Sequence, residues 1–563
     1  MEGNTFSEVI KIGKICLDMK YYSGKDEYTD GYIEDVILDT CKKHKEEEIL
    51  NESTDWPILY HLSSLRENLL EWFPFKKTQR VLEIGSGCGA ITGILSHKAG
   101  EVTCVDLSRK RSLINAYRHM DCANIKMIVG NFQDIEPDLG KFDVITLIGV
   151  LEYAAFYIKD KKDPFKSMLS LVSKHLNENG KLIIAIENKM GLKYWNGAPE
   201  DHTGDQYSSL NDYVGDRKIR TFSKRELEEM MQEIGLRKYK FFYPMPDYKL
   251  PTEIYSDERQ PNVGEIRNFR KEYSKTRFYN FFEDTINDQI CRDQVFDYFA
   301  NSFLIMAGKS VERLPNYIKY NRERKREYRI STVIDINEKL VIKYPLDNMA
   351  DQHIFNLKIN EDKWRHIFPK IHSVNGRIEE GKYVSDYIVG DSLDKDFFII
   401  RNDLEEFINK AKDIISTYYI PNDSDLFDFY LTDEYKVVFG ENVIANVKST
   451  EVTNIDMIFQ NLRKTSDGEV FAFDFEWVFD FPIPNEYVIW RAIVNLYIQY
   501  QIYLKNKISL EKFVGLFGIN AENHSIYEQM EDHFSDYVSG LNRCEVYTRR
   551  YIKPVIMQKF NIW

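Results

Sequence analysis

RVLEIGSGCG, residues 80–89, is an apolar run that ends in three glycines at alternate positions, with the helical stretch ITGILSHKA directly behind it. Val81, Leu82 and Ile84 read as a buried strand, while Gly85, Gly87 and Gly89 let the backbone turn sharply and approach a ligand closely. A helix opening at such a turn offers unpaired N–H groups and a partial positive charge, which suits an anionic or nucleotide-like group. The next strand, EVTCVD, ends in Asp106, 23 residues after Glu83. Its carboxylate is placed to accept both hydroxyls of a ribose, and Ser108 is the expected cap of the following helix.

The same grammar continues through SRKRSLINAYRHM, IKMIVG, FDVITLIGV, DPFKSMLSLVSKHL and KLIIAIE. Strands alternating with helices imply crossover connections and an α/β fold with a doubly wound, mainly parallel sheet. Ser223 and Glu226 have capping-box spacing ahead of Leu227, Met230, Met231 and Ile234, which share one helical face. That helix feeds RKYKFFYPMP. After an insertion from about Asp257 to Tyr298, NSFLIMAG completes a terminal strand pair that closes the domain near Lys309. Upstream, Tyr60–Phe73 reads as an amphipathic helix, and residues 1–58 as an N-terminal helical extension. The expected units are therefore 1–58, 59–310, a basic connector 311–327, and 328–563. The last begins with strands (YRISTVIDI, KLVIKYPL, then a helix and GKYVSDYIV) and ends in helical, aromatic sequence, the order of an α+β unit of two lobes.

With 563 residues the chain exceeds a single hydrophobic core. A formal charge of -14 argues against nonspecific tracking along nucleic acid, which depends on Lys and Arg neutralising phosphates. The basic stretch Lys319–Arg329 reads as a solvated connector, with a phosphate-binding surface as its alternative. Seven scattered cysteines (Cys16, Cys41, Cys88, Cys104, Cys122, Cys291 and Cys544) form no paired motif and fit reduced thiols in a cytoplasm. The first residues lack the order of a signal peptide, and no run reaches the about 20 apolar residues of a membrane helix.

The run Glu83-x-Gly85-x-Gly87-x-Gly89 also satisfies the looser Gly85-x-Gly87-x-x-Ala90 dinucleotide fingerprint. Taken with Asp106, with Asn131 and Phe132 after the third strand, with FDVI opening the fourth and with Leu151-Glu152-Tyr153 behind it, it resembles class I methyltransferases. The late strand pair favours that family over a dehydrogenase. The resemblance covers about Leu59 to Lys309 and implies S-adenosylmethionine as cofactor. It implies that Glu83, Gly85, Gly87 and Gly89 pass under the methionine moiety, that Asp106 holds the ribose, and that Asn131 and Phe132 meet the adenine.

Acceptor sites in doubly wound folds lie beyond the carboxyl ends of the strands. Glu187 and Asn188 end the fifth strand and open the insertion Met190–Asp212, whose content suits a polyol: Tyr194 and Trp195 for stacking on a sugar, carboxylates for hydroxyls, and His202 as the group that takes the acceptor proton. A packing aromatic pair and a turn histidine are the structural alternatives. The segments IENKMGLKYWNGAPEDHTG and YPMPDYKLPTEIYSDE resemble methyltransferase units of bacterial surface-glycan assembly. That resemblance implies a glycan or glycan-linked acceptor, with glycosyltransferases of such a pathway as partners.

In the second half Asp456 stands five residues before Asn461, and Asp474 follows 13 residues later. In phosphoryl transfer the first Asp orients or deprotonates a hydroxyl while the Asn and the later Asp hold magnesium against ATP. Lys343 is the candidate phosphate-pairing lysine, with Glu361, 18 residues on, to orient it. Together with SDYIVGDSL (385–393) as a hinge, these residues resemble the choline-kinase and aminoglycoside-phosphotransferase branch of kinase-like folds, from about Tyr328 to Ile502. No glycine precedes Lys343 in YRISTVIDINEK, and Thr453-Asn454 replaces the usual histidine-containing lead-in. An active kinase, a kinase-shaped binding domain and an unrelated fold thus all stay open. In domain order the chain resembles enzymes that cap O-antigen chains by phosphorylation and methylation. The readings to separate are a bifunctional enzyme, a methyltransferase with an inactive binding module, and a small-molecule or RNA methyltransferase.

Overall fold

The computed structural model describes the chain apart from residues 1–8, 27–28, 161, 216–217, 268–272, 274–276, 311–312, 443, 540–550, 554 and 558–563. Cys544 lies outside the described residues, and the other six cysteines are free thiols. Two units divide the chain: residues 1–262, 268–318 and 546–563 form the first, and residues 263–267 and 319–545 the second.

In the first unit the strands are β1 (Val9–Ile12), β2 (Ile15–Tyr21), β3 (Arg80–Ile84), β4 (Glu101–Asp106), β5 (Ile125–Gly130), β6 (Phe142–Ile148), β7 (Leu176–Glu187), β8 (Lys238–Met245), β9 (Glu253–Ser256), β10 (Arg277–Tyr279) and β11 (Ser302–Gly308). All but β10 join one sheet, in the order β1-β2-β5-β4-β3-β6-β7-β11-β8-β9. From β2 to β7 neighbours run parallel; β11 enters antiparallel between β7 and β8. The central strands are buried along nearly their whole length, as a sheet covered by helices on both faces requires. The parallel connections carry the helices Thr92–Lys98, Arg109–Arg118 and Pro164–Lys174. Ser108 caps the second by accepting from the Arg111 amide, and Asp163 caps the third, which opens on proline. The reversal of strand order at β3/β6 puts a crevice beyond their carboxyl ends.

Three readings are corrected. Residues 1–58 are not all helical: β1 and β2 form a hairpin whose second strand extends the sheet beside β5. Tyr60–Phe73 is not one helix. Trp56–Leu62 and the 3-10 turn Ser64–Leu69 meet at Ser63, whose extended backbone (φ -63°, ψ 133°) and hydroxyl, accepting from Leu65, start a new turn. Finally, the chain end returns to the first unit: β10 pairs in parallel with Val555–Met557, and the buried Tyr551 joins Ile33, Ile37 and Leu59 in one core.

The strand β12 (Tyr317–Tyr320) falls where the chain passes to the second unit. There β13 (Ile330–Asp335) and β14 (Leu340–Pro345) pair antiparallel, and β15 (His372–Ser373), β16 (Arg377–Glu379) and β17 (Lys382–Asp386) follow the helix Asp351–Trp364. The sheet runs on from β14 to β17 and β16. An aromatic core around Phe407, Phe439, Tyr487 and Phe513 is wrapped by the helices Leu404–Tyr418, Asn485–Gln499 and Ala521–Ser539. Among the described residues no helix is long and apolar enough to cross a membrane.

The capping box is present at Lys224–Glu233: Ser223 accepts from the Glu226 amide, and the Glu226 carboxylate accepts from the Ser223 amide. Ser223→Ala is expected to weaken that helix start by about 1 kcal/mol. Hydrogen exchange would report it as a roughly five-fold loss of protection confined to the first turn.

Candidate cofactor pocket and the buried clusters

At the end of β3 the chain turns through Gly85 (φ +74°), Gly87 (φ +51°) and Gly89 (φ +80°). A Cβ on Gly85 would stand 2.4 Å from Val150 Cγ2, whereas one on Gly87 would meet nothing within 4 Å and project into open space. The Gly87 and Ser108 amides donate to the two oxygens of Asp106 at 2.7 and 2.8 Å. Burial raises the Asp106 pKa against these hydrogen bonds. Glu83, also buried, accepts from Thr92 Oγ1 at 2.6 Å; burial pushes its pKa up to about 7.

A cavity bordered by this loop is lined by Glu83, Gly85, Gly87, Asp106, Asn131 and Phe132. Gly89 is the exception among the expected cofactor residues and does not line it. Its glycine answers to packing, because a Cβ there would lie 2.3 Å from Asn115 Oδ1. Asn131 is held from both sides, its Oδ1 accepting from the Gln133 amide and its Nδ2 donating to Tyr157 O. The remaining wall includes Tyr153, quoted for the resemblance but given no role, and Tyr60, His61, Arg66 and Arg111, none of which sequence reasoning selected. Arg111 is fixed by ion pairs to Asp30 and Glu34, and His61 by Asp30. Such long-range pairing leaves no local pattern.

Beyond β6 and β7, Glu152, Glu187 and His202 come together, with one ligand-type atom of each inside 4.8 Å of the others. His202 Nε2 is 3.4 Å from Glu187 and 3.9 Å from Glu152, and its Nδ1 is 2.9 Å from the Tyr153 hydroxyl. Burial alone would lower the His202 pKa, but Glu187, with Glu152 and Glu200, outweighs it and lifts it to about 9. His202, expected to take the acceptor proton, thus faces carboxylates that favour the protonated ring. Burial raises Glu152 to about 8 against the pull of His202. Burial would also raise Glu187, but Lys249 and His202 hold it well below the usual carboxylate range.

Two acceptor-contact expectations are overturned by burial. Tyr194 is fully buried and donates to Asp201 at 2.6 Å, so no sugar can stack on it. Asn188 is buried too, its amide donating to Tyr298 O and Ala300 O and its carbonyl accepting from the Met190 amide. Trp195 is 43% exposed, with its indole N–H donating to Met190 O.

In the second unit Lys343 Nζ lies 2.7 Å from Asp474 and 2.8 Å from Glu476, and Glu476 also pairs with Arg324. The expected Lys343–Glu361 pair is not formed: Glu361 instead accepts from the Gly376 amide and the Tyr383 hydroxyl. Asp456 pairs with Arg491 at 3.1 Å, and burial, outweighing that cation, raises its pKa to about 6. The Asn461 side chain donates to Asp456 O, and Asp474 Oδ1 takes the lysine. Glu476 was missed, although its spacing from Asp474, with only Phe475 between, turns it to the same face as a strand would.

Residues 59–240 match the family model for a methyltransferase domain, so the first unit carries a methyltransferase domain. A protein-L-isoaspartate O-methyltransferase of Bradyrhizobium sp. is 29% identical over 100 residues, 17% of this chain and 46% of that protein. An uncharacterised methyltransferase of Staphylococcus carnosus is 29% identical over 161 residues, 28% of this chain and 70% of that one. The chain thus spans about a third to a half of the length of the isoaspartate methyltransferases it matches. Among solved structures, the bifunctional kinase-methyltransferase WbdD aligns over 86% of this chain and 91% of its own at 12% identity, with a TM-score of 0.26.

Because Glu83 titrates higher folded than unfolded, its contribution favours the folded state below about pH 4.5 and is lost as pH rises through about 7. Glu83→Gln keeps an acceptor for Thr92 and removes that loss. Relative to the parent, the variant is expected to gain on the order of 2 kcal/mol between pH 5 and pH 8, read from denaturation midpoints.

Proposed function

We propose that this chain is an S-adenosylmethionine-dependent methyltransferase acting on a hydroxyl of a glycan or glycan-linked intermediate. The observation that carries it is that the positive-φ loop at Gly85 and Gly87 and the half-buried Asp106 carboxylate line the same cavity. Asp106 suits a ribose, since its two oxygens each accept one main-chain N–H and hydroxyls can share or replace those bonds. Open space at Gly87 lets a ligand reach the main chain, and Asn131 and Phe132 line the same cavity. Bound there, the cofactor would supply an electrophilic methyl group. The protein's part is to hold it, exclude water and fix the acceptor in line, which is positioning catalysis. The carbohydrate acceptor rests on the resemblance of residues 186–204 and 243–258 to glycan-assembly enzymes, and Trp195 is the exposed aromatic that can meet a sugar face.

For the second unit the proposal is magnesium-dependent phosphoryl transfer, with Lys343, Asp456 and Asp474 gathered around one buried charge cluster. A specific observation favours a binding module instead: Lys343, the expected phosphate-pairing lysine, is engaged by Asp474 and Glu476 together. Phosphates would have to compete with two carboxylates for it.

Asp106→Ala is expected to weaken S-adenosylmethionine binding about 10- to 100-fold, the loss of a charged hydrogen-bonding partner. Calorimetry on the full chain checks it, and an unchanged affinity would remove the basis of the assignment. For the second unit, Mg-ATP should protect residues 319–545 from proteolysis, and Asp474→Asn should abolish that protection; if parent and variant are cleaved alike, the binding-module reading stands.

A further inference from the structure

Glu152 sits on the turn after β6, Glu187 is the last residue of β7, and His202 belongs to the loop beyond it. Adjacent parallel strands thus deliver two carboxylates and an imidazole to one point at their carboxyl ends. His202 Nε2 stands 3.4 Å from Glu187 Oε2 and 3.9 Å from Glu152 Oε1. Ligand atoms bound at about 2.0–2.2 Å to one small cation stand about 3.0–4.2 Å from each other, depending on the angle between them.

Two further observations point to a missing positive partner. Glu152 is completely buried, and neither of its carboxylate oxygens has a hydrogen-bond partner; buried charges are ordinarily paired or bound to metal. The cationic group that pairs with it is His202, at 3.9 Å, and that ring lies closer to Glu187, at 3.4 Å. Lys193 and Lys249 are already committed to Asp201, with Lys249 also on Glu187. Glu200 is committed to the His202 and Thr203 amides and the Tyr213 hydroxyl. Among the described residues Glu152 therefore shares one imidazole with Glu187 and has no ammonium group paired with it.

We propose that Glu152, Glu187 and His202 are the protein ligands of a divalent cation of the Zn2+ or Mn2+ kind. One imidazole and two carboxylates suit these ions rather than Ca2+, which takes oxygen ligands alone. The Tyr153 hydroxyl at His202 Nδ1 orients the ring and leaves Nε2 to the metal, the usual outer-shell arrangement. A cation there displaces the ring proton, since a ligating histidine is neutral. The site borders the cofactor cavity: a Cβ on Gly149, a lining residue, would lie 3.6 Å from Glu152 Oε1. That the open coordination positions receive the methyl-accepting oxygen rests on the proposed methyltransferase reading, whereas cation binding does not.

The test is titration of chelator-stripped full-length protein with MnCl2 and with ZnCl2, with S-adenosylmethionine binding measured in parallel. One equivalent of at least one cation is expected to bind. Glu152→Gln should weaken it at least ten-fold, and His202→Gln should in addition abolish the 14N coupling of bound Mn2+ in pulsed EPR. Both variants should keep cofactor affinity within about two-fold, which certifies their fold. The proposal is overturned if neither cation binds stoichiometrically, or if both variants bind as tightly as the parent. Cation binding without any cofactor binding would instead overturn the methyltransferase reading and leave the metal site standing.

Discussion

The first unit depends on one carboxylate that two pieces of backbone share. Asp106 ends β4, and its oxygens accept the Gly87 amide from the loop after β3 and the Ser108 amide at the start of the next helix. Those contacts lock the ends of two parallel strands and the opening of a helix into one frame, and the cavity is the space the frame leaves. Only glycine tolerates the turn that brings Gly87 to Asp106, because φ is positive at Gly85 and Gly87 and a Cβ at Gly85 would strike Val150. The same carboxylate therefore builds the fold locally and presents the acceptor oxygens that a ribose would meet.

Around that frame, burial sets the chemistry more than pairwise attraction does. Glu83 and Glu152 are both pushed toward neutrality by loss of water, while Glu187, at comparable depth, stays ionised because Lys249 and His202 stand against it. Three buried carboxyls on consecutive parts of one sheet thus hold different charge states, decided by which has a cation within reach. Glu83 finds the Thr92 hydroxyl and serves the loop, Glu187 finds a lysine and a histidine, and Glu152 finds neither a donor nor a full counter-charge. The difference between structural and functional carboxylates lies in these partners.

What could be read from the chain alone follows the reach of the interactions involved. The strands from Arg80 onward, the capping box at Ser223 and the late strand Ser302–Gly308 are written in periodicity and local hydrogen-bonding chemistry, and they form where expected. The β1–β2 hairpin, the return of Tyr551 to the first core and the placement of His61 and Arg66 on the cavity wall depend on contacts between residues far apart in sequence. Nothing in a local window encodes them. Tyr194 and Asn188 were misread for a related reason: their residue types suit sugar binding, but burial, which a single sequence does not display at a loop, commits them to Asp201 and to main-chain carbonyls. Glu152 was quoted as part of a resemblance and given no chemistry, because its significance lies in the absence of a hydrogen-bonding partner.

The second unit shows the same principle from the opposite side. Lys343 is buried and strongly held in its charged form, for although burial opposes it, Asp474 and Glu476 more than compensate. Glu476 then binds Arg324 with its other oxygen, so a lysine, an arginine and two carboxylates close on themselves. Removing one member would leave a buried charge without its partner, which is far more damaging than the net worth of any one pair. A ligand phosphate arriving at Lys343 therefore meets a network already satisfied, and gains only if a cation compensates Asp474 and Glu476 at the same time. Magnesium and phosphate would have to enter together or not at all, and that coupling, rather than the spacing of Asp456, Asn461 and Asp474, is what decides whether this unit transfers a phosphoryl group.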